Sequence, residues 1–187
     1  MSAAREIGAV LELVLVPHEP SAEALQRIDA ACTARWGRGP ILWSDLASGA
    51  GQPLPADPPV PLVVDTVGML ADLYVEADLA LVGGAFDATG LHSVIEPAAA
   101  GLPVLFGPLH DRREANDLLA VGGAEVVTPQ NATELISALI LDPDRMLGMG
   151  RAAASYVRQG SGAAEGNAEL VSELVDLGLS RRSPTRA

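Results

Sequence analysis

A chain of 187 residues that is 49% hydrophobic and only 3% aromatic has the material for a substantial core; the composition suits an Ala/Leu/Val-rich α/β protein and argues against disorder. A formal net charge of −12 argues against a nucleic-acid partner, whose phosphates demand a basic face. A nucleotide ligand stays open, because backbone N–H groups at a helix start hold a phosphate locally.

The single cysteine, Cys32, has no partner for an internal disulfide, and a reducing cytoplasm is the simplest reading. No Cys/His cluster has zinc spacing. No apolar run reaches the ~18 residues that a membrane span needs. Residues Met1 to Gly8 lack the apolar core of a signal peptide.

In chain order, the run Leu11 to Val16 reads as a buried strand ended by Pro17-His18-Glu19-Pro20. Ser21 has the place of an N-cap, and Leu25, Ile28, Cys32 and Trp36 recur at helical spacing, so Ser21 to about Arg35 reads as a helix. Ile41-Leu42-Trp43 is a second strand, and Ala47 to Pro61 is a loop by its Gly and Pro content. Leu62-Val63-Val64 is a third strand, stopped by Asp65-Thr66. Leu70, Leu73, Tyr74 and Ala77 then mark a short helix.

Leu79 to Val82 is a fourth strand that ends in Gly83-Gly84, and Val104-Leu105-Phe106 is a fifth that ends in Gly107-Pro108. Between them lies a helix start carrying His92, Ser93 and Glu96. Asp111 and Glu114 have capping-box spacing for the next helix, and Gly122-Gly123 closes it. Glu125 to Val127 is a sixth strand at an edge. Asn131 opens a helix with Leu135, Ile136, Leu139 and Ile140 inward, broken at Asp142-Pro143. Two more helices are expected, about Asp144 to Arg158 and Ala164 to Leu177, and Ser180 to Ala187 reads as a disordered tail.

Six strands alternating with helices predict an α/β fold, a Rossmann-like doubly wound parallel sheet in a single domain over residues 1–179. Ligands of such sheets bind beyond the carboxyl ends of the strands. That rim would carry His18, the Asp65-Thr66-Val67-Gly68-Met69 turn, Gly83, Gly84, His92, Ser93, Glu96 and Gly107.

Each of these residues also has an ordinary structural account. The paired glycines suit a strand-ending turn. Ser93 and Glu96 spell a capping box, but with Ser93 as N-cap Pro97 falls where an N–H is needed. With Glu96 as N-cap, Pro97 sits at the favoured first position and Ser93 is freed. Asp65 or Thr66 suits a helix cap. His110 follows the Gly-Pro turn and reads as a surface residue.

In order and at this spacing, several motifs resemble the C-terminal half of the 3-deoxy-D-manno-oct-2-ulosonic acid (Kdo) transferases. They are Val16-Pro17-His18-Glu19, Asp65-Thr66-Val67-Gly68-Met69-Leu70, Ala77-Asp78, Val82-Gly83-Gly84, Gly90-Leu91-His92-Ser93-Val94-Ile95-Glu96-Pro97 and Gly101-Leu102-Pro103-Val104-Leu105-Phe106-Gly107-Pro108. Those enzymes move Kdo from CMP-Kdo onto a lipid A precursor and have the two-domain GT-B glycosyltransferase architecture. The resemblance implies that this chain is the donor-binding domain. It places the acceptor site, the catalytic carboxylate and the membrane attachment, on the cytoplasmic face of the inner membrane, in an N-terminal domain.

It further implies that Glu96 takes the ribose hydroxyls and that the phosphate lies at the following helix start. His92 donates to the phosphate or the sugar carboxylate, and the Asp65–Met69 turn reads the base. His18 stands where many members have arginine, and Ser93 where most have asparagine. The chain alone is expected to bind nucleotide sugar without transferring it, with no cofactor and no metal. A donor domain for a UDP-sugar, or a stand-alone nucleotide- or sugar-phosphate-binding module, are the alternatives.

Overall fold

The computed structural model describes residues 11–49 and 60–160. The helix expected at Ala164 to Leu177 and the tail from Ser180 lie outside the described residues. The chain divides into two compact units between Glu76 and Ala77.

The first unit holds three two-residue parallel strands, β1 (Val14–Leu15), β2 (Ile41–Leu42) and β3 (Leu62–Val63), in the order β1-β3-β2. Val14 pairs with Leu62 and Leu15 with Val63, while Ile41 and Leu42 pair with the same two residues from the other side. The ladder continues past the strand ends through Leu62 N–H to the Leu13 carbonyl and Val64 N–H to the Leu15 carbonyl, both at 2.9 Å. β3 is central, and Val63 and Val64 are buried. Helix α1 (Ala22–Trp36) starts as expected: Ser21 is the N-cap, and its hydroxyl accepts from the Ala24 N–H at 3.2 Å. Its inward face is Leu25, Ile28, Cys32 and Trp36, of which Cys32 is fully buried.

Trp43 departs from the expectation. It opens a short helix, α2 (Trp43–Ala47), rather than continuing the strand, because Asp65 captures the first turn that follows. Helix α3 (Leu70–Glu76) completes the unit.

The second unit is a parallel sheet of β4 (Ala80–Val82), β5 (Val104–Phe106) and β6 (Ala124–Val126), in that order, with β5 central and β6 at an edge. Backbone pairing therefore runs in two three-stranded sheets where one six-stranded sheet was expected. The strands are shorter than the apolar runs that announced them, since only two or three residues of each run enter a ladder.

Alternation along β5 sorts the core of this unit into two layers. On one side, Val104 and Phe106 join a cluster with Leu91, Val94, Ala98, Leu118 and Ala153. On the other, Leu105 packs with Val127, Leu139 and Met149. A strand buried on both faces with helices over each is the doubly wound arrangement.

The helices are α4 (Ile95–Ala99), α5 (Arg113–Ala120), α6 (Ala132–Leu141) and α7 (143–160). The start of α5 differs from the expectation: Arg112, not Asp111, is the N-cap and no side chain caps it. At the α6–α7 junction, Asp142 caps the new helix by accepting from the Arg145 N–H at 3.0 Å, and Pro143 takes the first position, where no N–H is needed.

Candidate functional site

In the second unit, β4 and β5 leave the sheet side by side, and their following loops lock together. The Leu109 N–H donates to the Ala85 carbonyl at 2.9 Å. Ala85 is fully buried, and Gly107 lies so close to its carbonyl that a Cβ would collide with it. The chain then turns through residues 84–90 and returns to the end of β4, where the His92 N–H donates to the Gly83 carbonyl at 3.2 Å.

Gly84 has φ +89°, and a Cβ there would drive into the Gly90 carbonyl and come within 3.1 Å of the His92 ring carbon Cδ2. The same ring carbon would lie 3.7 Å from a Cβ on Gly83. Gly84 thus lets the loop close on itself with the His92 ring close against it, whereas Gly83 has room for a side-chain carbon. Gly83, Gly84 and His92 are brought together at the carboxyl rim of β4 and β5. Ser93 and Glu96 follow directly, and His92, Ser93 and Glu96 are all exposed.

Neither of the two expected caps forms at α4. The N-cap is Val94, in helical geometry, and no side chain caps the helix. The first intrahelical bond runs from the Ala98 N–H to the Val94 carbonyl at 3.3 Å. Pro97 therefore stands at the third helical position, whose N–H has no helical partner in any sequence. That resolves the proline conflict without enlisting Ser93 or Glu96. Buried Val94, Pro97 and Ala98 pin the helix from below, leaving the two polar side chains on the outer face.

In the first unit, His18 follows β1 and the Asp65–Met69 turn follows β3, the neighbouring parallel strand. His18 is exposed and lines an open groove of about 480 Å³ against α1, with Pro17, Glu19, Ser21, Ala24, Arg27, Ile28 and Ala31. Asp65 is committed elsewhere. Its carboxylate accepts from the Ser44 N–H at 3.0 Å and the Ser44 hydroxyl at 2.5 Å, capping the first turn of α2. Burial raises its pKa, but the two Ser44 bonds outweigh that and hold the carboxyl below its ordinary value. The Thr66 hydroxyl meets the Met69 sulfur at 3.3 Å, and Gly68 takes φ +93° in the exposed turn.

Sequence reasoning misplaced His110. It is half-buried at the end of β5, edge-on to Phe106 with ring centroids 5.1 Å apart, and its Nδ1 is buried without a hydrogen-bond partner. The preceding Gly107-Pro108 turn was its one available signal, and that turn also suits a surface residue. Among the described residues, no three His, Cys, Asp or Glu side chains gather as a metal-binding group. No helix among them is long and apolar enough to cross a membrane.

No family model matches the chain. Among curated proteins, it is 31% identical over 154 residues to a 3-deoxy-D-manno-octulosonic acid transferase of Bordetella pertussis, covering 81% of this chain and 34% of that protein. It is 30% identical over 161 residues to the enzyme of the same name from Chlamydophila psittaci, covering 84% of this chain and 33% of the relative. Among solved structures, it resembles the C-terminal CMP-Kdo binding domain of WaaA from Acinetobacter baumannii with a TM-score of 0.63 at 19% identity. That match covers 78% of this chain and 72% of that domain.

The chain spans about a third of the length of the curated relatives it matches. The chain is a homologue of the 3-deoxy-D-manno-octulosonic acid transferases, and it has the α/β fold of the C-terminal domain of WaaA.

Proposed function

We propose that the chain is the donor-binding domain of a glycosyltransferase that moves Kdo from CMP-Kdo to a lipid A precursor in lipopolysaccharide core biosynthesis. The observation that carries the reading is the β4–β5 rim, where the fold leaves Ser93 and Glu96 uncapped and exposed beside the packed His92 ring.

In this reading the Glu96 carboxylate accepts both hydrogen bonds of the ribose diol. His92 and the first-turn N–H groups of α4 take the phosphate. A five-residue helix has little macrodipole, so direct hydrogen bonds rather than a long-range field would hold the anion. In the first unit, His18, Asp65, Gly68 and Met69 are proposed donor contacts on the family resemblance. Within that unit the Asp65 carboxylate already accepts two hydrogen bonds from Ser44.

When sugar is transferred, the bond between the Kdo anomeric carbon and the phosphate oxygen breaks and its electron pair leaves with CMP. An acceptor hydroxyl forms the new bond and gives up its proton. Donors at the phosphate stabilise the leaving charge, and no metal is invoked. The proton acceptor, the lipid site and attachment to the cytoplasmic face of the inner membrane belong to an N-terminal domain, so the chain alone binds donor without turnover.

Calorimetric titration with CMP, UMP and CMP-Kdo tests this. An isolated donor half is expected to bind CMP at about 0.1–1 mM, tighter than UMP, with affinity lost in Glu96→Ala. A preference for UMP would move the proposal to a UDP-sugar donor. Binding unaffected by Glu96→Ala would remove the ribose from this rim.

A further inference from the structure

We propose that Asp87 and Thr89 are positioning residues, bracing the loop of residues 84–90 so that the His92 ring is held against the Gly83-Gly84 turn. Asp87 Oδ1 accepts from the Thr89 hydroxyl at 2.5 Å and from the Thr89 N–H at 2.9 Å. The Thr89 Oγ1 also lies 3.4 Å from the Gly84 carbonyl oxygen. A hydroxyl has one proton, so the short bond to the carboxylate dominates and the Gly84 carbonyl is a weaker second partner. One side chain therefore ties the tip of the loop to both of its ends. Thr89 immediately precedes Gly90, whose carbonyl presses on Gly84, and Gly84 is part of the floor under the His92 ring.

Asp87 is ionised at neutral pH like any exposed aspartate, so its bonds from Thr89 are charge-assisted, and the Thr89 hydroxyl and N–H hold its carboxyl below the ordinary value. Both side chains stand in the open: Asp87 and Thr89 are exposed, and no core packing depends on them. An exposed loop held by a charge-assisted bond is a way to fix a ring without burying it. The consequence for ligand affinity rests on the nucleotide-binding reading of His92, whereas the positioning itself does not.

The test uses the 187-residue chain and the ring signals of its three histidines in carbon–proton NMR, assigned for His92 by loss of its signal in His92→Ala. Thr89→Val keeps the shape and removes the hydroxyl, Asp87→Ala removes the acceptor, and Thr89→Ser restores the hydroxyl. The expected result is that Thr89→Val and Asp87→Ala shift or broaden the His92 Cδ2 signal, that Thr89→Ser restores it, and that the His18 signal stays in place. CMP titration of the same samples should weaken about three- to ten-fold in Thr89→Val, with no further loss when His92 is already alanine, as coupled residues behave.

A His92 signal unmoved in both Thr89→Val and Asp87→Ala overturns the proposal. So does one that moves equally in Thr89→Ser, or together with His18. A His92 signal that moves as expected, in a chain that binds no CMP, upholds the positioning and instead sinks the nucleotide-binding reading of the rim.

Discussion

The two units treat the same kind of signal in opposite ways. After β3, a carboxylate at a strand's end is drawn into the fold: Asp65 reaches across to Ser44, 21 residues earlier, and caps α2. After β4, a serine and a glutamate with capping-box spacing are left out of the fold, because apolar Val94 takes the N-cap and Pro97 needs no partner where it stands. A polar residue at the carboxyl rim is therefore not evidence of a ligand until its structural duties are counted. By that count Glu96 and Ser93 have none in helix α4, and Asp65 has two hydrogen bonds.

The largest expected effect falls on the loop that brings the second rim together. Gly84→Ala meets both a backbone at φ +89° and the Gly90 carbonyl. Strain of this kind costs about 1–3 kcal/mol before the collision is counted. At ~2–4 °C per kcal/mol for a chain of this size, thermal unfolding should show the melting temperature falling by roughly 5–10 °C. CMP binding should disappear with it, since the His92 ring rests on the same residue. A tolerated Gly84→Ala would mean that the loop closes some other way, and the contrast between the rims would lose its structural basis.

Asp65→Ala is expected to come next, at about 1–2 kcal/mol for a lost cap and a stranded Ser44 donor. The pH dependence has a definite sign. The folded-state pKa of Asp65 is lowered, so its contribution is present above the unfolded value and is lost as pH falls through the folded one. Chemical denaturation of both proteins should therefore show a gap at neutral pH that narrows in acid. A gap constant down to pH values below the ordinary carboxylate range would mean that the Ser44 bonds do not depend on the charge.

What was legible beforehand follows from the range of each interaction. The Ser21 cap and the inward face of α1 are local patterns, and the structure repeats them. The run Leu11 to Val16 does so only in part: Val14 and Leu15 alone enter a ladder, and Leu11, Leu13, Val14 and Val16 are exposed rather than buried. The rim of β4 and β5 was legible because a parallel α/β sheet sends every strand's carboxyl end the same way. Three features were not. Helix α2 depends on Asp65, far along the chain. His110 comes edge-on to Phe106, four residues earlier, through the geometry of the intervening turn, which the Gly107-Pro108 pair alone does not specify. The start of α4 is decided by which side chains the core accepts: Val94, Pro97 and Ala98 go under, so the helix begins where they require, not where Ser93-Val94-Ile95-Glu96 would begin it.

The smallest expected stability change is the most informative one. If Ser93 capped α4, Ser93→Ala would cost about 0.5–2 kcal/mol, as cap deletions do. With Val94 as N-cap, Ser93→Ala and Glu96→Ala should each leave the melting temperature nearly unchanged, within the roughly 0.5 kcal/mol expected of exposed positions. Their effect should appear in ligand binding instead, with Glu96→Ala weakening CMP about ten-fold or more through the lost pair of hydrogen bonds to a charged acceptor. Loss of stability with unchanged binding in both variants would assign the pair to the fold after all. The reverse pattern would make them what Asp65 is not: polar groups that the fold holds in place and does not use.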